Sequence, residues 1–174
     1  ADTISQNLVR TTFKKKREAL RDLLRSQDIQ NAVIFCNRKR DISTLLSSMK
    51  RHGFSATGLH GDMTQSARLA ALDEFKNGQT PLLVASDVAA RGLDIPSVSH
   101  VFNFDVPSNA EDYVHRIGRT GRAGRHGHAF TLIAGEDDEK AILAIEKLTG
   151  RPIPVLSNTK RPVSYTHLRA HETV

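Results

Sequence analysis

The chain has 174 residues, 39% of them hydrophobic, a length and composition that suit one domain around one core. Its net charge of +6 favours a polyanionic partner, while the absence of Trp and an aromatic content of 5% argue against extensive base stacking. No apolar run approaches the ~18 residues of a bilayer span and no leader-like segment opens the chain, so a cytoplasmic, non-membrane protein is expected.

Taken in order, residues 13–27 carry Phe13, Ala19, Leu20, Leu23 and Leu24 at helical spacing. Residues 31–36 form a β-branched, apolar run that predicts a buried strand. Cys36 ends it, so its thiol reads as buried rather than nucleophilic. It is the only cysteine, which excludes an internal disulfide, and no Cys/His set is spaced for zinc. Residues 38–51 place Ile42, Leu45, Leu46 and Met49 on one helical face, with Gly53 as the stop. A short strand is expected at 55–59. Thr64 caps a helix that runs through Phe75, with Leu69, Leu72 and Phe75 inward and Asn77-Gly78 ending it.

Residues 81–85 and 97–105 predict two more strands. Ser108 is the expected cap of a short helix through His115, with Glu111 completing a capping box. A strand at 128–134 and a helix at 137–148 follow. Alternating strands and helices predict an α/β fold, a parallel sheet covered on both faces. Ligands should then bind on loops beyond the carboxyl ends of the strands. Residues 151–162, with Pro152, Pro154 and Pro162, have linker composition; the domain is set at 1–155 and the linker at 156–162. Residues 163–173 resemble the translation of an adaptor used in transposase-based sequencing libraries. We therefore expect 163–174 to be an artefactual tail outside the fold.

Four tandem Arg-x-Gly steps run from Arg116 to Gly127, entered by Tyr113-Val114-His115. Guanidinium stays charged and binds phosphate oxygens bidentately, and glycine lets the main chain approach a ligand. A collagen reading fails because the block holds no Pro. A disordered-tail reading sits poorly with the apolar segments on either side, 98–106 and 129–134.

Four segments combine with this block. They are Val33-Ile34-Phe35-Cys36-Asn37; Leu59-His60-Gly61-Asp62-Met63-Thr64-Gln65-Ser66-Ala67-Arg68; Ala85-Ser86-Asp87-Val88-Ala89-Ala90-Arg91-Gly92-Leu93-Asp94; and His115-Arg116-Ile117-Gly118-Arg119-Thr120-Gly121-Arg122. In order and spacing they resemble motifs IV, IVa, V and VI of DEAD-box ATP-dependent RNA helicases, over roughly residues 5–155, with a general pattern similar to the RhlE-like branch. The resemblance implies a RecA-like parallel sheet flanked by helices on both faces, the C-terminal lobe of a two-lobed motor that binds ATP and RNA in the cleft. The sequence holds no Gly-x-x-x-x-Gly-Lys-Ser/Thr loop and no Asp-Glu-Ala-Asp. This chain alone should therefore not hydrolyse ATP, and Mg2+ would be held by the N-terminal lobe.

Residue by residue, the resemblance implies arginine fingers at Arg119 and Arg122, which would also contact ATP. Asp94 is implied for the ATP ribose, with Gly92 beside it allowing close approach; a plain turn is the alternative. His115 and Arg116 match positions that tie the lobes together. RNA phosphates would meet Asn37, Arg38, Gly61, Gln65, Arg68 and Ser86, where the family more often has Thr at the last position. A solvated helix face is the alternative for Arg68. Arg125 and His126 lie past the motif and read as solvated, and His60 has no catalytic partner pattern. The expected partners are RNA, contacted through its backbone without sequence preference, and the N-terminal lobe, in a monomer. A stand-alone RNA-binding module, and a lobe of a DNA-directed superfamily 2 helicase, are the two alternatives.

Overall fold

The computed structural model describes residues 3–156, so the expected tail and most of the expected linker lie outside the described residues. The sheet has six strands, β1 (Ile4–Arg10), β2 (Ala32–Phe35), β3 (Ala56–Leu59), β4 (Leu82–Ala85), β5 (His100–Asn103) and β6 (Gly127–Ile133), in the order β1-β6-β5-β2-β4-β3. Every pairing is parallel, with Val33 opposite Leu83 on one side and Val101 on the other. The helices are α1 (Lys16–Ser26), α2 (Lys39–Arg51), α3 (Gln65–Lys76), α4 (Asp87–Ala90), α5 (Ala110–Ile117) and α6 (Glu136–Thr149).

Side-chain alternation along β2 explains its unbroken apolar run. Val33 and Phe35 pack with Leu72 and Phe75 of α3, Tyr113 and Ile117 of α5, and Ile142 and Ile145 of α6. Ala32, Ile34 and Cys36 face the other way, against Leu20, Leu23 and Leu24 of α1 and Ile42, Leu45 and Met49 of α2. A strand buried on both faces has no polar side to show. The expected α/β, RecA-like architecture with helices on both faces is what the chain forms. Burial also pushes the Cys36 thiol well above its ordinary proton affinity, in keeping with an inert core residue.

The helix signals act where the side chains can reach. The Thr64 hydroxyl accepts from the Ala67 N–H at 3.1 Å, opening α3. Gly150, at φ +73°, takes the left-handed conformation that ends α6. Five expectations change. The cap of α5 is Asn109, not Ser108; its carboxamide oxygen accepts from Asp112 N at 2.9 Å, and Glu111 takes no part. Leu69 is exposed and Ala71 takes the inward position. Phe13 lies on a 3-10 turn before α1 and is exposed. β1 was not anticipated. Nor is 151–156 merely linker: Ile153 is buried, Leu8 N donates to Pro154 O at 2.8 Å, and Leu156 N donates to Leu8 O at 2.7 Å. The segment covers the outer edge of β1, as unpaired edges require. Among the described residues no helix is long and apolar enough to cross a membrane.

Candidate functional site

Arg116, in the last turn of α5, is 1% exposed and reaches across the carboxyl ends of three strands. Its Nε and Nη2 donate to the two carboxylate oxygens of Asp87 at 2.9 and 2.7 Å. Nη1 donates to Asp105 O at 2.8 Å and to Asn103 Oδ1 at 3.3 Å, and Nη2 also reaches Asn37 Oδ1 at 2.6 Å. Asp105 in turn accepts from Lys16 Nζ at 2.5 Å and from Asn37 N at 2.9 Å. Two cations thus meet two carboxylates with every guanidinium nitrogen engaged, the condition under which buried charge is tolerated. Arg116 was expected to tie two lobes together; here its side chain is 1% exposed and all its nitrogens are held by partners within this chain. Asn37 is likewise committed at its side chain, which also donates to Val106 O at 2.9 Å. Its expected phosphate contact would compete with those bonds.

Beside this network lies a small cavity of about 120 Å3, lined by Asp87, Ala90, Arg91, His115 and Arg119 among others. His115 is exposed at its mouth. The backbone of Arg119 lies at the amino end of β5, while Arg119 also lines the cavity beside the carboxyl-end network. Its carbonyl accepts from Val98 N at 2.9 Å, and Thr120 donates to the carbonyls of Val98 and Ser99, at the amino end of β5. Helix α5 carries the chain from one edge of the sheet to the other, so the block spreads along a flank. Arg122 donates from Nε to Gly118 O at 2.8 Å. Burial, then the charge of Arg122, lower the proton affinity of Arg119, while Asp94 opposes them. Arg119, Arg122 and Asp94 therefore share one electrostatic neighbourhood. Gly92 is required locally by its φ of +80°. Gly127 is required by a crossing: a Cβ there would collide with the backbone of Gly121 and the side chain of Thr120.

The second group gathers at the carboxyl ends of β2, β4 and β3, which are neighbours in the sheet. Arg38 is the exposed cap of α2, and Gly61 and Gln65 are exposed around the start of α3. Ser86 N donates to Leu59 O at 3.4 Å, drawing the β3 and β4 ends together. The Ser86 hydroxyl accepts from Ala89 N at 3.2 Å, which leaves its own proton to donate. Arg68 Nε and His60 Nδ1 are buried atoms without a hydrogen-bond partner. Lys39, which sequence reasoning passed over, donates to Asp62 Oδ1 at 2.9 Å and ties α2 to the 60–64 loop. The same contact holds the Asp62 carboxyl below its ordinary range. Lys16, Asp87, Asn103 and Asp105 were also passed over; only Asp87 lies in a segment singled out beforehand.

The helicase conserved C-terminal domain family matches residues 15–124. The chain is 48% identical over 149 residues to the DEAD-box ATP-dependent RNA helicase CshA of Bacillus subtilis, covering 85% of this chain and 30% of that protein. It thus spans about a third of the length of the curated relatives it matches. Among solved structures it resembles the E. coli DEAD-box protein SrmB, with a TM-score of 0.82 and 35% identity over 88% of this chain and 91% of that one. It also resembles S. cerevisiae Dbp5 bound to RNA and ADP BeF3, with a TM-score of 0.80 and 29% identity over 98% of this chain and 45% of the other.

Proposed function

The chain belongs to the helicase conserved C-terminal domain family, among the DEAD-box RNA helicases, and from that premise we propose that it is the nucleotide- and RNA-sensing lobe of an ATP-dependent RNA helicase. The observation that carries this reading is the half-buried Arg119 beside Arg122, where burial first and then the charge of Arg122 lower the proton affinity of Arg119. Two adjacent cations that gain by an anion's arrival are arranged for phosphate.

When bound, ATP with Mg2+ supplies a phosphoryl group whose transfer spreads negative charge over its oxygens. Arg119 and Arg122 stabilise that charge, Asp94 orients the nucleotide through its sugar hydroxyls, and His115 meets the N-terminal lobe at the cleft. Arg38, Gly61, Gln65, Arg68 and Ser86 hold RNA phosphates at the carboxyl edge. Phosphate contacts carry no sequence information, so binding is sequence-independent. RNA and nucleotide each favour the closed pair of lobes, and closure is a population shift driven by both. The lobe alone lacks the P-loop and does not hydrolyse ATP; the protein works in the cytoplasm as a monomer.

The test joins this chain to an N-terminal lobe. Arg122→Ala should lower RNA-stimulated ATP hydrolysis by about 10³-fold or more while leaving RNA affinity nearly unchanged. Full activity in the variant would remove the finger assignment. Equal stimulation by single-stranded DNA would remove the RNA assignment.

A further inference from the structure

A cavity of about 450 Å3 opens at the amino edge of the sheet, and none of the candidate site residues named above lines it. Its walls include Asp28 and Gln30 before β2, Lys76 at the end of α3, Ser99 before β5, and Arg125 and His126 before β6. The volume falls within the ~300–1,000 Å3 usual for small-molecule sites. Among the described residues neither Lys76 nor Arg125 has an ion-pair partner. Of the lining imidazoles, His100 is 3% exposed and stacks on His128 with ring centres 4.8 Å apart. His126 hydrogen-bonds Ser5 Oγ at 2.6 Å. The lining thus offers the guanidinium fork of Arg125, the ammonium of Lys76, the carboxylate of Asp28 and the carboxamide of Gln30. That set of groups suits a phosphate on a hydroxylated carrier.

Two residues of the cavity wall hold the backbone carbonyls of the candidate fingers. Val98, a wall residue, donates to Arg119 O at 2.9 Å, and Arg125 N donates to Arg122 O at 3.1 Å. The loop between holds Gly121, Ala123 and Gly124 at φ of +71°, +57° and +76°. A non-glycine residue in that region marks a conformation held by its surroundings.

We infer that this cavity binds a small phosphorylated polyol, with Arg125 on the phosphate and Asp28 and Gln30 on hydroxyls, and that occupancy sets the positions of Arg119 and Arg122. The second half rests on the finger assignment; the first does not. The test is a titration of the 174-residue chain with ribose 5-phosphate, followed by 1H–15N spectra. Saturable shifts are expected at Ser99, Arg125 and His126, and with the same affinity at Arg119 and Arg122. Arg125→Gln should weaken binding about tenfold, equivalent to about 1.4 kcal/mol, with the remaining spectrum unchanged because Arg125 is exposed. Ribose and inorganic phosphate should each bind at least tenfold more weakly. The Arg119→Gln, Arg122→Gln double variant should bind as the parent does. Absence of saturable shifts would overturn the site. So would shifts that vanish in the double variant yet survive Arg125→Gln, since the phosphate would then be reading the fingers. Cavity shifts without movement at Arg119 and Arg122 would overturn the coupling. An active Arg122→Ala enzyme would defeat the finger assignment and leave the titration standing.

Discussion

At the scale of single residues, Arg116 is where the fold and the site become the same structure. It closes three strand ends with five hydrogen bonds, and its neighbours in sequence, His115 and Arg119, face the cavity beside it. Removing one partner of a buried pair leaves the other charge uncompensated, which costs about 3–5 kcal/mol. Arg116→Ala should therefore lower the unfolding free energy of this chain by that amount, read as a lower urea midpoint with no change in the denaturant slope. Combining it with Asp87→Ala should cost less than the two single changes added, because the stranded carboxylate is gone. Arg116→Lys should recover little, since an ammonium cannot make the planar, bidentate contact to Asp87. A midpoint unmoved by Arg116→Ala would mean the network is incidental.

Among the elements, what could be read in advance depended on how much of each strand's character resides in its own residues. β2, β4 and β5 are central and buried on both faces, so their apolar runs stand out. β1 reads Ile4-Ser5-Gln6-Asn7-Leu8-Val9-Arg10, and its polar positions are placed by tertiary contacts: Tyr113 donates to Gln6 Oε1 at 2.7 Å, Ser5 Oγ meets His126 at 2.6 Å, and Asn7 is buried with its Nδ2 unpartnered. No local pattern announces that. Helix α4 has four residues, too few for a period. Candidate site residues were legible where a motif names them. Lys16, Asn103 and Asp105 were not, because their role arises only when the ends of β2 and β5 lie side by side. The β5–β6 pair carries another such feature: His100, Phe102, Phe130 and His128 stack across the two strands, with Phe102 and Phe130 5.6 Å apart. Burial, reinforced by the charge of His128, lowers the pKa of His100 to about 4 from an ordinary 6.5. Between these values the unfolded chain takes up a proton that the folded chain refuses. Stability contributed by neutral His100 is complete above pH 6.5 and lost as pH falls towards 4, by at most about 3 kcal/mol. Urea unfolding from pH 7 to 4 should show this fall, and His100→Gln should flatten it. An equally steep variant would assign the acid sensitivity elsewhere.

Over the whole molecule, the sheet order separates two candidate ligand surfaces and joins them through the core. The RNA-facing candidates sit at the β2–β4–β3 end, and Arg119, Arg122 and Asp94 occupy the flank reached through α5. Between them, Arg116 bonds Asn37 of the first group and stands three residues from Arg119 of the second. A net charge of +6 lends the chain a general attraction for polyanions, so a specific phosphate contact must be distinguished from a diffuse field. Salt dependence does so. Each neutralised phosphate on a single strand contributes a slope of about −0.7 to log K against log salt. Arg68, with its buried and unpartnered Nε, is the strongest candidate for a positioned contact. Arg68→Gln should weaken binding of this chain to single-stranded RNA equally for polyuridine and mixed sequences, and should reduce the slope by about 0.7. Loss of affinity for one sequence alone would mean that Arg68 reads a base. Unchanged affinity and slope would return it to the solvated helix face, and the carboxyl edge would then hold RNA through Arg38, Gln65 and the backbone at Gly61.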